Sequence, residues 1–197
     1  MSDYILELKG ITKIFPGVKA LDNVHFQLKK GEIHALMGEN GAGKSTFIKV
    51  ITGVHIPEEG EIYLKGEKVS FKNPKDAQNC SIAAIYQHGT TYPYLSVTEN
   101  IFIGHEKMTK FRTIDWNRMH AEAKELLEHI GSDIDPRASM GNLTVAEQQV
   151  VEIAKAISTH AEIIIMDEPT AALSKRECEG LYKIAEQLRD EGKSIIF

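Results

Sequence analysis

Residues 38–46 read GENGAGKST and fit the spacing G-x-x-x-x-G-K-[ST]. These residue types at this spacing suit the binding of a chain of phosphates. Glycines at 38, 41 and 43 let the backbone curl so that successive N–H groups point at anionic oxygens. Glu39, Asn40 and Ala42 belong to the same cradle through their backbone. Lys44 is long enough to reach β- and γ-phosphates, the Ser45 hydroxyl suits a Mg²⁺ ion, and Thr46 suits the α-phosphate. A second candidate is IIIMDE, residues 163–168, an apolar run that ends in two carboxylates. Asp167 at a strand end suits a direct or water-mediated metal contact. Pleat alternation sends Glu168 to the other side, where a carboxylate can polarise an attacking water. A phosphate cradle, a metal anchor and a water-positioning acid together point to binding and hydrolysis of a nucleoside triphosphate.

Those residues need elements to hold them. EIHALM, 32–37, is a short apolar run of strand type that leads into the Gly-rich loop, and STFIKVITG reads as the helix that follows, with Gly53 as its stop. Residues 4–8 and 18–28 alternate as strands, and 60–71 form a hairpin turning near Lys65-Gly66. Asn73-Pro74 begins a short helix through Gln78, and SIAAIY, 81–86, is a further buried-type strand. A helical block covers about 92–158. Met119, Ala123, Leu126, Leu127 and Ile130 recur at helical spacing before Gly131, and Val150, Ile153, Ala154 and Ile157 share a later face. Ser174 and Glu177 make a capping box for a third helix bearing Leu181, Ile184, Ala185 and Leu188, and SIIF opens a last strand. The simplest architecture is an α/β core with an inserted α-helical subdomain and an antiparallel β-subdomain near the N-terminus.

Bulk properties exclude several other classes. The 197 residues, 42% hydrophobic and 26% charged, suit one large domain or a core with one insertion. A net charge of −5 provides no basic field for nucleic acid, so no nucleic-acid partner is expected. Cys80 and Cys178 stand far apart and read as free thiols of a reducing compartment, and the eight histidines show no metal-ligand spacing. No run approaches the ~20 apolar residues of a membrane span, and MSDYILELKG lacks the pattern of a signal peptide.

The order of motifs resembles that of the ATP-binding cassette ATPases over essentially all 197 residues: the phosphate loop, then YQHGTTYPYLSVTENIFIG, then LTVAEQQ, then IIIMDEPTAALS. FPGVKALDNV, VTENIFIG and EQQVVEIAKA are most similar to the N-terminal nucleotide-binding domain of bacterial monosaccharide importers of the ribose, galactose, arabinose and xylose type. The resemblance implies an α/β fold with a P-loop NTPase (RecA-like) core, an N-terminal antiparallel β-subdomain and an inserted α-helical subdomain, with ATP and Mg²⁺ as cofactors and a role for each matched position. Phe15 falls where the family stacks an aromatic ring on adenine. Gln87 matches the glutamine that touches Mg²⁺ and senses the γ-phosphate. Residues 88–104 match the region that meets the membrane partner. Glu168 matches the catalytic glutamate. AALS, 171–174, occupies the D-loop, with Ser174 where many members carry aspartate. The implied partners are transmembrane sugar permease subunits, a second nucleotide-binding domain and, indirectly, a periplasmic sugar-binding protein. The implied location is peripheral, on the cytoplasmic face of the inner membrane. A soluble cassette ATPase outside transport and a nucleotide-sensing module with little hydrolysis are the alternatives.

Two departures from the family pattern stand out. Where the family has L-S-G-G-Q, this chain has Leu143, Thr144, Val145, Ala146 and Glu147, followed by Gln148. Thr144 and Glu147 form a Thr-x-x-Glu capping box, so a sound helix start is expected. In the family this helix end faces the γ-phosphate held by the opposite domain. Side chains at 145 and 146 hinder close backbone approach, and a folded-back Glu147 offsets the helix dipole, so a weak grip on that phosphate is expected. The second departure is the missing switch histidine: the chain stops at Phe197, which predicts a piece of a longer protein with two such domains in tandem.

Overall fold

A computed structural model describes residues 3–39, 41–86, 91–170 and 173–197. The chain divides into two compact units: 1–84, 162–167 and 188–197 form the first, and 85–161 and 168–187 the second.

The first unit holds two four-stranded sheets. One is antiparallel in the order β2-β1-β4-β5, built from β1 (Tyr4–Phe15), β2 (Val18–Lys29), β4 (Glu59–Leu64) and β5 (Glu67–Val69). β1 runs well past the 4–8 segment expected from alternation. Gly10 sits at φ +65°, and register shifts between Leu8 and Ile14 break the period of two while pairing continues to Phe15↔Val18. Pro16 and Gly17 then turn the chain, with the positive φ falling on the glycine as a type II turn demands. The 60–71 hairpin turns at Lys65 and Gly66, both with positive φ.

The second sheet has the order β3-β8-β7-β6, from β3 (Ile33–His34), β6 (Ile82–Ile85), β7 (Ile163–Met166) and β8 (Ser194–Ile196). β8 lies between β3 and β7 and is parallel to both. All four residues of β7 and all three of β8 are buried, all apolar except Ser194, whose hydroxyl accepts from the Gly31 N–H (3.0 Å). β3 is shorter than the apolar run 32–37, because its ladder with β8 ends at His34, although the Leu36 N–H still donates to the Phe197 carbonyl. α1 (Lys44–Ile51) buries Phe47, Ile48, Val50 and Ile51, and α2 (Pro74–Asn79) is capped by the Asn73 side chain, which accepts from the Asp76 N–H.

The second unit is helical. α3 (Val97–Phe102) is not announced by periodicity, because six residues are too few to display it. Its start is nonetheless a full Ser96/Glu99 capping box. α4 (Trp116–His129) is capped by Asp115, and α5 (Val145–Ser158) by Thr144. α5 buries Val151, Glu152, Ile153, Ala154 and Ala156, whereas Val150 and Ile157 of the expected face 150, 153, 154 and 157 are only half-buried; α3 and α4 both pack on this helix. α6 (Lys175–Asp190) begins with the expected Ser174/Glu177 box, whose hydroxyl–carboxylate contact is 2.6 Å.

Asn100, 1% exposed, ties the loop before α3 to the helix. Its amide donates to the carbonyls of Tyr92 (3.1 Å) and Ser96 (2.9 Å), and its Oδ1 accepts from the Tyr92 N–H (2.7 Å). Asn100→Ala removes three hydrogen bonds made by a buried side chain and takes the acceptor from the Tyr92 N–H, at a cost of about 2–3 kcal/mol. In a chain of this size the melting temperature should fall by about 5–10 °C. An unchanged melting curve would dismiss Asn100 as the organiser of this loop.

Candidate functional site

β3 brings the chain to the Gly-rich loop and α1 carries it away. Within the loop the Ala42 N–H donates to the Glu39 carbonyl (3.0 Å), and the Phe47 N–H to the Gly43 carbonyl (2.8 Å). The expected curl is real, but it resides in two of the three glycines: Gly41 and Gly43 have φ of +86° and +89°. Gly38 is outside the left-handed region, and a Cβ there would meet the Ala42 Cβ at 3.2 Å. Gly43 is doubly constrained. A Cβ on it would lie 2.5 Å from the Ala20 carbonyl oxygen, so β2 excludes any side chain at this point.

Lys44 Nζ donates to the carbonyls of Gly38 (2.6 Å) and Glu39 (3.2 Å), closing the loop into a ring. An ammonium has three donors, so one remains for an anion in the cradle. Ser45 is exposed and Thr46 half-buried in the first turn of α1. Asn40 and Gln87 lie outside the described residues.

Asp167 follows β7. Because β3, β8 and β7 run parallel, the Gly-rich loop and Asp167 both leave the carboxyl edge of the sheet. Two strand spacings separate β3 from β7, roughly 10 Å. Ligands of open parallel sheets collect at this edge. Among the described residues, neither the Ser45 hydroxyl nor the Asp167 carboxylate has a hydrogen-bond partner, so both hard oxygen donors are uncommitted. A small hard cation that shares its shell with phosphate and water needs only one or two such protein ligands. That fits the absence of any cluster of three or more acidic, His or Cys side chains among the described residues.

Glu168 corrects one expectation. β7 ends at Met166, so the direction of Glu168 is not set by the pleat. The residue has φ +50° and precedes the buried Pro169. A non-glycine residue in the left-handed region costs about 1–2 kcal/mol, and a following proline narrows its choices further. The Glu168 side chain is exposed.

Phe15 is half-buried at the end of β1. His55 meets it edge-on, with ring centroids 5.2 Å apart, and Lys13 Nζ lies 5.3 Å from its centroid. The His55 contact has no local signal, since no sequence spacing links residues forty positions apart.

In the second unit, the start of α5 has the capping box in full. Glu147 Oε2 accepts from the Thr144 N–H (2.8 Å) and hydroxyl (2.9 Å), and the Glu147 N–H donates back to Thr144 Oγ1 (3.3 Å). Val145 is 50% exposed, so a branched apolar side chain stands at the helix end where an anion would approach. Gln148 turns away from that end and donates to the Leu143 carbonyl (3.1 Å).

The family described as ABC transporter matches residues 21–171. A xylose import ATP-binding protein of Geobacillus kaustophilus is 52% identical over 199 residues, covering 100% of this chain and 39% of that protein. A ribose import ATP-binding protein of Rhizobium etli is 49% identical over 193 residues, covering 98% of this chain and 38% of that protein. The chain therefore spans under two fifths of the length of these curated relatives. Among solved structures, the ADP conformation of an ATP-binding cassette of an ABC transporter is similar with a TM-score of 0.87 at 27% identity, covering 99% of this chain and 80% of that one. A nucleotide-free ATP-binding cassette from an ABC transporter is similar with a TM-score of 0.88 at 27% identity, covering 98% and 80%.

Proposed function

We propose a function from this premise: the chain belongs to the ABC transporter family, and it binds and hydrolyses ATP to power import of a monosaccharide through a membrane permease. The observation that carries the reading is the Lys44-closed loop at the carboxyl edge of the parallel sheet, with Asp167 leaving that same edge. Backbone N–H groups of residues 38–46 and Lys44 hold the phosphates, and Phe15 stacks on adenine. Ser45, Asp167 and Gln87 would hold Mg²⁺, which would supply positive charge to offset that of the phosphates. Glu168 orients the attacking water and takes its proton. The sugar-import names of the relatives support the substrate class.

The proposed partners are permease subunits, a second nucleotide-binding domain and, through the permease, a sugar-binding protein. Attachment to the cytoplasmic face of the inner membrane would come through the permease. No helix among the described residues is long and apolar enough to cross a membrane. The domain organisation proposed is one nucleotide-binding domain over 1–197 that carries a helical subdomain at about 92–158.

The start of α5 supports an asymmetric partnership. With Glu147 folded onto Thr144 and Val145 exposed, this helix end offers an anion little of its dipole and would serve a γ-phosphate held by the opposite domain poorly, whereas the γ-phosphate bound at Lys44 would take its signature segment from that second domain. The chain should bind ATP–Mg²⁺ in a titration yet release phosphate far more slowly than a polypeptide that also carries a second domain. Equal rates would end the asymmetric reading, and no ATP binding would end the functional assignment itself.

A further inference from the structure

Residues 55–58 link the two halves of the nucleotide site proposed above. At one end, the His55 N–H donates to the Lys49 carbonyl of α1 (2.9 Å), in the helix whose first residue is Lys44. The His55 ring packs edge-on against Phe15, with an interplanar angle of 72°. At the other end, the Glu58 carboxylate accepts from Lys13 Nζ (2.6 Å) through one oxygen and from the Ile14 N–H (2.8 Å) through the other. Lys13 Nζ also reaches the Ile56 carbonyl (2.8 Å), and the Glu58 N–H donates to the Thr12 carbonyl (2.9 Å). Together these bonds fasten a short strap to the end of β1 and to the phosphate-bearing helix. The aromatic ring and the phosphate loop are far apart in sequence, and β1 and β2 alone would leave their spacing to the bend of a hairpin end.

Resting on the reading of Phe15 as the adenine platform, we propose that His55 and Glu58 are positioning residues for the nucleotide base. They hold the Phe15 ring at a set distance and tilt from the phosphate loop. Lys13 Nζ stands over the ring at 5.3 Å from its centroid, His55 packs against it, and the half-buried ring keeps part of its surface accessible to a purine. Stacking a flat base on an aromatic ring requires the ring plane to be held parallel to the base, and a ring free to swing loses most of that gain. The Lys13 ammonium and the Ile14 N–H hold the Glu58 carboxyl below its ordinary value, and like any unperturbed carboxyl it is ionised at neutral pH.

The test compares binding of ATP with binding of inorganic tripolyphosphate, which fills the phosphate cradle and lacks the base. The 197-residue chain and the variants Phe15→Ala, His55→Ala, His55→Phe and Glu58→Ala are titrated with each. The intact chain should bind ATP roughly tenfold or more tighter than tripolyphosphate, as a stacked base requires. His55→Ala and Glu58→Ala should each remove a roughly three- to tenfold part of that preference, with tripolyphosphate affinity unchanged, and His55→Phe should restore it with a second edge-on ring. Loss of preference in Phe15→Ala but in neither strap variant overturns the strap and spares the platform. No loss in any of the three alanine variants overturns both. A parallel fall in tripolyphosphate affinity would make the strap a general support of the loop and also overturn the proposal.

Discussion

Replacing Lys44 by alanine should lower ATP affinity roughly a hundredfold while leaving the fold intact. The ammonium donates to two loop carbonyls, and its third donor is the only side-chain cation the loop itself offers to the phosphates. Truncating one partner of a desolvated charge pair costs about 3 kcal/mol, which is about two decades in affinity. The two carbonyls it releases are at the surface and regain water, so thermal stability should shift little. Titration calorimetry with ATP–Mg²⁺ measures the first quantity and a melting curve the second. Wild-type affinity in this variant would remove residues 38–46 as the phosphate site. A collapsed melting curve would instead make Lys44 a structural strut of the loop.

Glu168→Gln should separate binding from chemistry. Glutamine has nearly the same shape and keeps an acceptor oxygen, but it cannot take a proton from water. A positioned general base contributes about 10²–10⁴ in rate, so phosphate release should fall at least about a hundredfold with ATP affinity within about twofold. The substitution tests chemistry cleanly because Glu168 is exposed and its φ of +50° is a backbone property that glutamine inherits. Asp167→Asn is the contrasting change: it weakens a metal contact and should alter the Mg²⁺ dependence of binding, which Glu168→Gln should leave alone. Undiminished phosphate release in Glu168→Gln would move the catalytic role to another residue.

The features legible in the linear chain are those whose physics is local. The Gly-rich loop is legible because its chemistry depends on one short run of neighbouring residues. The boxes Thr144/Glu147 and Ser174/Glu177 are legible because a cap satisfies donors three residues away. Ser96/Glu99 has the same signal, and it passes unnoticed only because α3 is too short to show a period. The extension of β1 to Phe15 is hidden for the opposite reason. Gly10 and successive bulges disrupt alternation over the stretch that carries Lys13 and Phe15.

Long-range arrangement accounts for the rest. Strand composition announces β7 and β8 as buried, but their placement as neighbours, with β8 between β3 and β7, depends on which distant strands share ladders. That order is what brings the loop and Asp167 to one edge. Gly43 reads locally as a turn residue, whereas its stricter constraint is the Ala20 carbonyl 2.5 Å from any Cβ, contributed by the distant strand β2. Lys13, His55 and Glu58 are ordinary surface types in sequence, and they gain a role only because antiparallel pairing of β1 with β4 lays residue 58 beside residue 13. Local chemistry names the reacting groups. The pairing of distant segments sets their distances, because backbone hydrogen bonds and buried area, not sequence neighbourhood, choose which segments meet.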